Sequence, residues 1–246
     1  MFKKLVCMMF LMQGCSVLAG AAVVENFDWG SGVPGREALT AGSPVRGVRV
    51  PSADEVFQDT AKDRSVFAGA SGSGKGVLLM KGLNNSVGFN YPVSAVTVVK
   101  AEGKFSPGDT TRGVRGFWIG VQSKTPDNPL LNNQKTDRLS VQLGQTGNII
   151  LRSVVGGVTN TAKGDADGSI KFSPGDSVKM ELTINMTEQT ASIKVAGAGE
   201  GNVKIKTVKW NSAKTPDWGT VIINKTGDGE LLLDSMEVRT LPIILG

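Results

Sequence analysis

The side chains that could do chemistry in this chain are carboxylates, lysines, hydroxyls, one tyrosine and four tryptophans. The 246 residues include no histidine, which excludes Ser-His-Asp and Cys-His catalysis, histidine-ligated zinc and an imidazole pH switch. With 40% hydrophobic and 20% charged residues, the composition is that of a globular protein rather than a disordered chain or a membrane bundle. Acidic, hydroxyl and aromatic side chains are therefore where a functional site is sought.

Trp118 is the aromatic residue whose neighbours best suit a ligand. The run 116–122 alternates, with apolar side chains at 117, 119 and 121, so Trp118 projects from the opposite face of a strand. Gly116 and Gly120 flank it at i±2 and leave the indole ring standing over bare backbone, with Gln122 one step further along. Sugar rings have apolar C–H faces and hydroxyl groups, which an aromatic platform and hydrogen-bonding amides suit.

This pattern predicts a carbohydrate-binding surface on an exposed sheet face, with Trp118, Gln122 and Gln142 as its ligand-binding residues. The alternative is that Trp118 packs beneath a loop of its own chain. The other tryptophans lie in segments containing Gly, Asp or Pro and are interpreted as loop anchors or rim contacts: Trp29, Trp210 and Trp218.

Asp234 interrupts an apolar pattern near the end of the chain. Alternation places it on one strand face with Leu232, Met236 and Val238, where an unpaired carboxylate would be costly. Three interpretations stay open: a hydrogen-bonded structural aspartate, a β-bulge that turns it outward, or a ligand of a structural calcium ion, which takes six to eight oxygens. A melting temperature unchanged by calcium and by chelator would exclude the third; no other cofactor is predicted.

The run 69–76 nearly matches a phosphate-binding P-loop. Gly76 stands where the motif needs Ser or Thr, and an apolar, strand-like run at 77–80 follows where a helix should begin. The segment is therefore predicted to be a glycine-rich connection between strands, and nucleotide binding is not expected.

The elements that must position these residues are β-strands. Apolar and polar residues alternate with period two, as in 178–186, and Gly, Pro, Asn and Asp turns separate the runs. Strands are predicted near 77–81, 93–100, 114–122, 139–144, 148–155, 178–186, 190–196, 203–209, 219–224 and 230–239. The hexapeptide Lys-Phe-Ser-Pro-Gly-Asp occurs at 104–109 and 171–176, where Pro-Gly favours a turn. The prediction is a single all-β domain over 22–246, an antiparallel two-sheet sandwich.

The N-terminal segment has the order of a secretory signal peptide. Lys3 and Lys4 precede an apolar run, and Ala19-Gly20-Ala21 fits the cleavage rule, so residues 1–21 are predicted to be removed. A membrane span is the alternative, and a lipid anchor at Cys15 is another. Cleavage removes both cysteines, so the domain cannot depend on a disulfide. The protein is expected to be secreted, periplasmic or at the cell surface.

The remaining charge does not indicate a nucleic-acid-binding protein. Removal of residues 1–21 leaves 25 basic and 22 acidic residues, a net charge of +3, and the basic residues are dispersed. A nucleic-acid partner is therefore not expected, since that would need a clustered basic patch.

The chain resembles the concanavalin A-like jelly roll, the lectin and glucanase sandwich that includes laminin-G-like domains. The features are the runs 116–121, 139–143 followed by 148–151, 172–176 leading into 179–185, and 233–238. The resemblance implies a jelly-roll sandwich, glycan binding and, in some branches, glycoside hydrolysis or polysaccharide cleavage. The glucanase motif Glu-x-Asp-x-x-Glu has no match here, and the lyase branches lean on histidine, which is absent.

The leading hypothesis is therefore a non-catalytic, secreted module that binds carbohydrate. A second is a structural or adhesive extracellular protein with protein partners. A third, less favoured, is a polysaccharide-cleaving enzyme that uses acids such as Glu181 or Asp234.

Overall fold

A computed structural model of the chain describes residues 22–25, 43–44, 57–59, 65–70, 76–81, 84–105, 116–123, 136–144, 146–162, 169–173, 175–227 and 229–241. These residues form strands and connections, and none of them belongs to a helix long and apolar enough to cross a bilayer. Residues 1–21, and with them the predicted signal peptide, Cys7 and Cys15, lie outside the described part, as does Trp29.

The strands are, in chain order, β1 (Ala22–Glu25), β2 (Gln58–Asp59), β3 (Ser65–Ala70), β4 (Gly76–Met80), β5 (Asn84–Asn90), β6 (Val96–Phe105), β7 (Gly116–Ser123), β8 (Arg138–Gly144), β9 (Ile149–Val155), β10 (Val158–Ala162), β11 (Val178–Asn185), β12 (Thr190–Ala196), β13 (Val203–Lys209), β14 (Trp218–Thr226) and β15 (Leu231–Leu241). One sheet has the order β13-β12-β11-β6-β15-β4-β3, and β1 also pairs with β15. The other has the order β10-β9-β8-β7-β14-β5-β2. Every pairing between these strands is antiparallel.

The core lies between the two sheets and follows directly from period-two alternation. In β11 the side chains of Val178, Met180, Leu182 and Ile184 are buried, while Lys179 on the other face is exposed. Burying a side chain of this size stabilises the fold by roughly 1.5–3 kcal/mol. Two such faces are enough to hold a sandwich of this length together without a covalent link.

The all-β antiparallel sandwich predicted from the sequence is confirmed, and each of the ten predicted strands is present within a few residues. The strands that alternation did not reveal are β1, β2, β3, β5 and β10. In β5 the inner face carries Asn85, whose amide donates to the Ser65 hydroxyl at 2.9 Å. A buried polar residue that hydrogen-bonds to a distant strand hides its own strand from any pattern of hydrophobicity.

Strand β13 inverts the expected alternation. Alternation in the predicted strand 203–209 sets Val203 and Ile205 opposite Lys204 and Lys206 and predicts that the two apolar side chains are buried. In the structure Val203 and Ile205 are 40% and 67% exposed. Lys206 instead pairs with the buried Ile193, and its ammonium donates to the Ile149 carbonyl of the other sheet at 2.7 Å. The prediction for β13 was wrong because, at the edge of a sheet, the aliphatic part of a lysine side chain can cover the core while its ammonium reaches a hydrogen-bond acceptor.

Asp234 sits in a β-bulge. The pairing of β15 with β6 shifts register between Leu233 and Ser235, so that Leu233 and, beyond the bulge, Met236 and Val238 are all buried. The extra residue breaks strict alternation, and the prediction that Asp234 shares a face with Met236 and Val238 was wrong. Of the three interpretations, the bulge is the one that the backbone bears out.

The structure also tests the predictions for the glycine-rich segment and the repeated hexapeptide. The glycine-rich segment joins the antiparallel strands β3 and β4, which confirms a connection between strands. In the second hexapeptide Gly175 has φ +94°, and its N–H donates to the Phe105 carbonyl of the first copy at 2.8 Å. The centroids of the Phe105 and Phe172 rings lie 5.3 Å apart, so the described residues of the two copies contact one another.

Trp210 and Trp218 are buried anchors rather than rim contacts. Their rings meet edge to face, with centroids 5.0 Å apart, and both belong to the core.

Candidate functional site

The outer face of the seven-stranded sheet is the face that carries Trp118. Register places Gln142 of β8 directly opposite Trp118 of β7, and Asn224 of β14 opposite it on the other side. The row continues to Ser86 of β5 at one end and to Ile150 of β9 at the other. Five adjacent strands therefore supply one transverse row around the indole.

Three polar atoms converge above the backbone of Gly116. A methyl group added at Gly116 would lie 2.7 Å from Trp118 Nε1, 2.8 Å from Gln142 Nε2 and 3.1 Å from Thr226 Oγ1. The indole N–H donates a long hydrogen bond, 3.4 Å, to the Thr226 hydroxyl. The expectation that the ring stands over bare backbone is confirmed at Gly116, where a methyl group would require these side chains to shift.

Gly120 is required for a different reason. A methyl group there would clash with the Leu139 carbonyl oxygen of the neighbouring strand. The glycine thus permits the close approach of β7 and β8.

The predicted site residues divide by exposure. Trp118 and Gln142 are half-buried and lie side by side, so both can present part of their surface to a ligand. Gln122 is only 1% exposed, and the prediction that its amide lies on an exposed face was wrong. Its neighbours in register are Arg138 and Thr220, and Thr220 is itself fully buried.

Two arginines occupy the same outer face. Arg138 pairs in register with Val154, and Arg152 pairs with Ser140, so the two guanidinium groups are diagonal neighbours on β8 and β9. Burial, and after it the neighbouring Arg152 charge, lowers the pKa of Arg138. The side chain remains protonated at neutral pH, because an arginine pKa starts so high.

The described strands of this sheet carry one acidic residue, Asp59 of β2. Asp137, just before β8, is buried and accepts from the Gly156 N–H at 2.8 Å and from the Lys214 ammonium at 3.2 Å. That carboxylate is occupied in holding the turn between β9 and β10.

The acids proposed for catalysis or metal binding lie elsewhere. Glu181 is on the outer face of the eight-stranded sheet, 3.7 Å from the Lys100 ammonium, and Asp234 is in the β15 bulge of that same sheet. Within the described ranges, no three Asp, Glu, Cys or His residues lie close enough together to hold a metal ion. Calcium binding at Asp234 stays a prediction.

Sequence reasoning missed Thr226, Arg138 and Arg152. The sequence did hold a signal for the two arginines. Arg152 lies at a polar position of the predicted strand 148–155, and Arg138 directly precedes the predicted strand 139–144. Which of them face one another depends on the register of the β8–β9 pairing, and alternation leaves that register open by steps of two residues.

Comparison with known proteins shows likeness in structure only. No protein-family model and no curated protein matches the sequence. The winged bean acidic lectin complexed with methyl-α-D-galactose matches with a TM-score of 0.56 and 9% identity, over 91% of this chain and all of that one. The seed lectin of Lotus tetragonolobus matches with a TM-score of 0.51 and 10% identity, over 77% and 94%. Lectin I of Ulex europaeus, in complex with the methyl glycoside of α-L-fucose, matches with a TM-score of 0.51 and 11% identity, over 76% and 92%.

Proposed function

Because the chain has the concanavalin A-like jelly-roll fold of these lectins, we propose that it is a non-catalytic module that binds carbohydrate on the outer face of its seven-stranded sheet. We place it, after removal of a signal peptide, outside the cytoplasm: secreted, periplasmic or at the cell surface. Fold alone does not carry the function, so the proposal depends on the site.

One observation carries the proposal: Trp118, Gln142 and Thr226 meet above Gly116. The half-buried indole offers an apolar surface of the kind that a sugar ring packs against. The Gln142 amide both donates and accepts hydrogen bonds, as sugar hydroxyls require. The scaffold beneath is rigid, because each of the three side chains comes from the centre of a strand or from a strand end held by two neighbours.

The test is a glycan array probed with the purified protein and with Trp118→Ala and Gln142→Ala. Trp118→Ala is expected to weaken binding by about tenfold or more, because a buried aromatic contact contributes roughly 1.5–3 kcal/mol. Gln142→Ala should cost less, about fivefold, since one neutral hydrogen bond is worth about 1 kcal/mol.

Val158→Ala is the matched control, because Val158 is 61% exposed on the edge strand of the same sheet. It should bind as the wild type does. An array without hits, or equal binding by wild type and Trp118→Ala, would overturn the proposal.

A second candidate function is adhesion to a protein partner. It is favoured by the exposed apolar side chains Val203 and Ile205 on the outer face of edge strand β13. The array separates the two candidates, because adhesion through β13 predicts no glycan binding that depends on Trp118.

A further inference from the structure

Resting on the proposed function, we propose that Asn224 is a specificity-determining residue of the same site: its side-chain oxygen accepts a hydrogen bond from a hydroxyl group of the sugar whose ring lies against Trp118. The ligand class is thus a pyranose that carries a free hydroxyl group on the edge of the ring that faces β14.

Asn224 lies on a strand that pairs directly with the strand of Trp118. Register places Asn224 of β14 opposite Trp118 of β7, and Gln142 of β8 opposite Trp118 on the other side. Side chains that lie directly opposite one another on paired strands have Cβ atoms about 4.5–5.5 Å apart. The indole is therefore flanked by two amides, one on each neighbouring strand.

The space beside the indole is open on β7 itself. Gly116 and Gly120 lie two residues to either side of Trp118, on the same face of the strand. Neither glycine has a side chain, so no side chain of β7 separates the Asn224 amide from the indole ring. A sugar ring that packs on Trp118 therefore has Asn224 along one edge and Gln142 along the other.

The Asn224 side chain holds an unpaired hydrogen-bond acceptor. Its Oδ1 is shielded from solvent and has no hydrogen-bond partner in the part of the chain that the structure describes. The residue as a whole is 8% exposed, so a ligand on the outer face can reach the amide. Rotation about the last side-chain bond exchanges the positions of Oδ1 and Nδ2, which lets the oxygen meet a donor there. A sugar hydroxyl supplies that donor.

A second buried asparagine in the same sheet gives the comparison. Asn85 of β5 is fully buried, and its amide nitrogen donates to the Ser65 hydroxyl of the other sheet at 2.9 Å. Its Oδ1 is also unpaired, so an unpaired oxygen alone does not indicate a ligand. Asn85 has a structural hydrogen bond that accounts for the amide, whereas Asn224 has its position beside Trp118. Buried polar groups are usually paired, and a ligand that pairs Oδ1 explains why an amide is kept at 224.

The first measurement is thermal unfolding without sugar, for wild type, Asn224→Leu and Asn85→Leu. Leucine has nearly the shape of asparagine and no polar atom, so Asn224→Leu removes the unpaired acceptor without opening a cavity. We expect its melting temperature to equal that of wild type or to rise by about 2–4 °C. Asn85→Leu is the matched control, and it should melt at a lower temperature because it also removes the hydrogen bond to Ser65.

The second measurement is affinity by calorimetry, for the array glycan that wild type binds most tightly and for its monodeoxy derivatives, each of which lacks one hydroxyl group. Asn224→Leu should bind the parent glycan about fivefold more weakly or worse, as expected for the loss of one neutral hydrogen bond. Val158→Ala should bind it as wild type does.

The monodeoxy derivatives identify the hydroxyl group that contacts Asn224. For one derivative, wild type and Asn224→Leu should bind equally, because neither complex contains the hydrogen bond. Gln142→Ala should still weaken the binding of that derivative, since Gln142 lies on the other side of the indole.

Two outcomes overturn the inference and leave the proposed function standing. One is Trp118-dependent binding that Asn224→Leu leaves unchanged. The other is an Asn224→Leu protein that melts well below wild type and loses the same factor in affinity for the parent glycan and for every monodeoxy derivative, which would show a structural role for Asn224. An array without hits overturns the proposed function and the inference with it.

Discussion

The outer faces of the two sheets handle charge in opposite ways. On the eight-stranded sheet, Lys100 of β6 lies between Glu181 of β11 and Glu237 of β15, at 3.7 and 3.3 Å. Glu237 also lies 3.4 Å from Arg239, and Lys179 pairs with Glu102 at 3.4 Å. On the seven-stranded sheet, the charged residues of the outer face in the described strands are Arg138 and Arg152, which lie on neighbouring strands among uncharged polar groups.

The difference shows which outer face pairs opposite charges across its strands. Cross-strand pairs of opposite charge each contribute only about 0.2–1 kcal/mol, yet they leave that surface with its charges matched. On the other outer face the two neighbouring charges have the same sign, and the carbohydrate proposal is placed there because Trp118, Gln142 and Thr226 meet above Gly116.

The largest expected effect comes from the glycines of β7. Gly120→Ala should lower the free energy of unfolding by about 3 kcal/mol, because the new methyl would meet the backbone carbonyl of Leu139, which cannot move without separating two strands. Denaturant unfolding followed by tryptophan fluorescence measures this.

Gly116→Ala is the matched variant. The methyl there meets the ends of three side chains, which can turn away, so the cost in stability should be about 1 kcal/mol. Glycan binding should fall far more than stability does, because those side chains form the proposed site. A stable Gly120→Ala protein would show that the approach of β7 to β8 is looser than described.

Lys100→Met removes the two ion pairs at the centre of the outer face of the eight-stranded sheet. It leaves Glu181 and Glu237 without their shared cation, and we expect a loss of about 1 kcal/mol at low ionic strength, decreasing as salt is added. Thermal unfolding over a sodium chloride series checks it. Lys209→Met, on the edge strand, should change stability by much less, and equal losses in the two variants would contradict the importance of the paired row.

Arg152→Gln has the smallest expected effect on stability. Removing one of two like charges should change the free energy of unfolding by less than about 0.5 kcal/mol, in the stabilising direction at low salt. The same melting series as for Lys100→Met measures it, so one substitution on each face is compared directly. A loss above about 1 kcal/mol would show that Arg152 has a structural role.

Much of the fold could be predicted, because every residue of a half-buried strand reports on which face it occupies. The exceptions are instructive: β5 carries Asn85 in the interior, and β13 turns Lys206 inward at an edge. In both, a polar group finds its partner on another strand, and no local pattern contains that partner. The bulge at Asp234 could not be predicted for a similar reason. A residue counts as extra only relative to the residues of the paired strand, here β6.

The position of Trp118 could be predicted from the sequence, whereas the burial of Gln122 could not. The local sequence around Trp118, with glycine two residues before it, was enough to place the ring over bare backbone at Gly116. The burial of Gln122 could not be read from β7, because exposure depends on what covers a face and not on which face a residue occupies.

Local sequence thus determined that this protein consists of strands, which face of most strands is apolar, and that Trp118 projects from the face opposite the apolar residues of its strand. The tertiary structure alone decided that Gln142 and Thr226 meet Trp118, that Arg138 and Arg152 are neighbours, and that the other sheet pairs its charges. The physical reason is that alternation is a property of consecutive residues, whereas register and sheet order join residues that are distant along the chain.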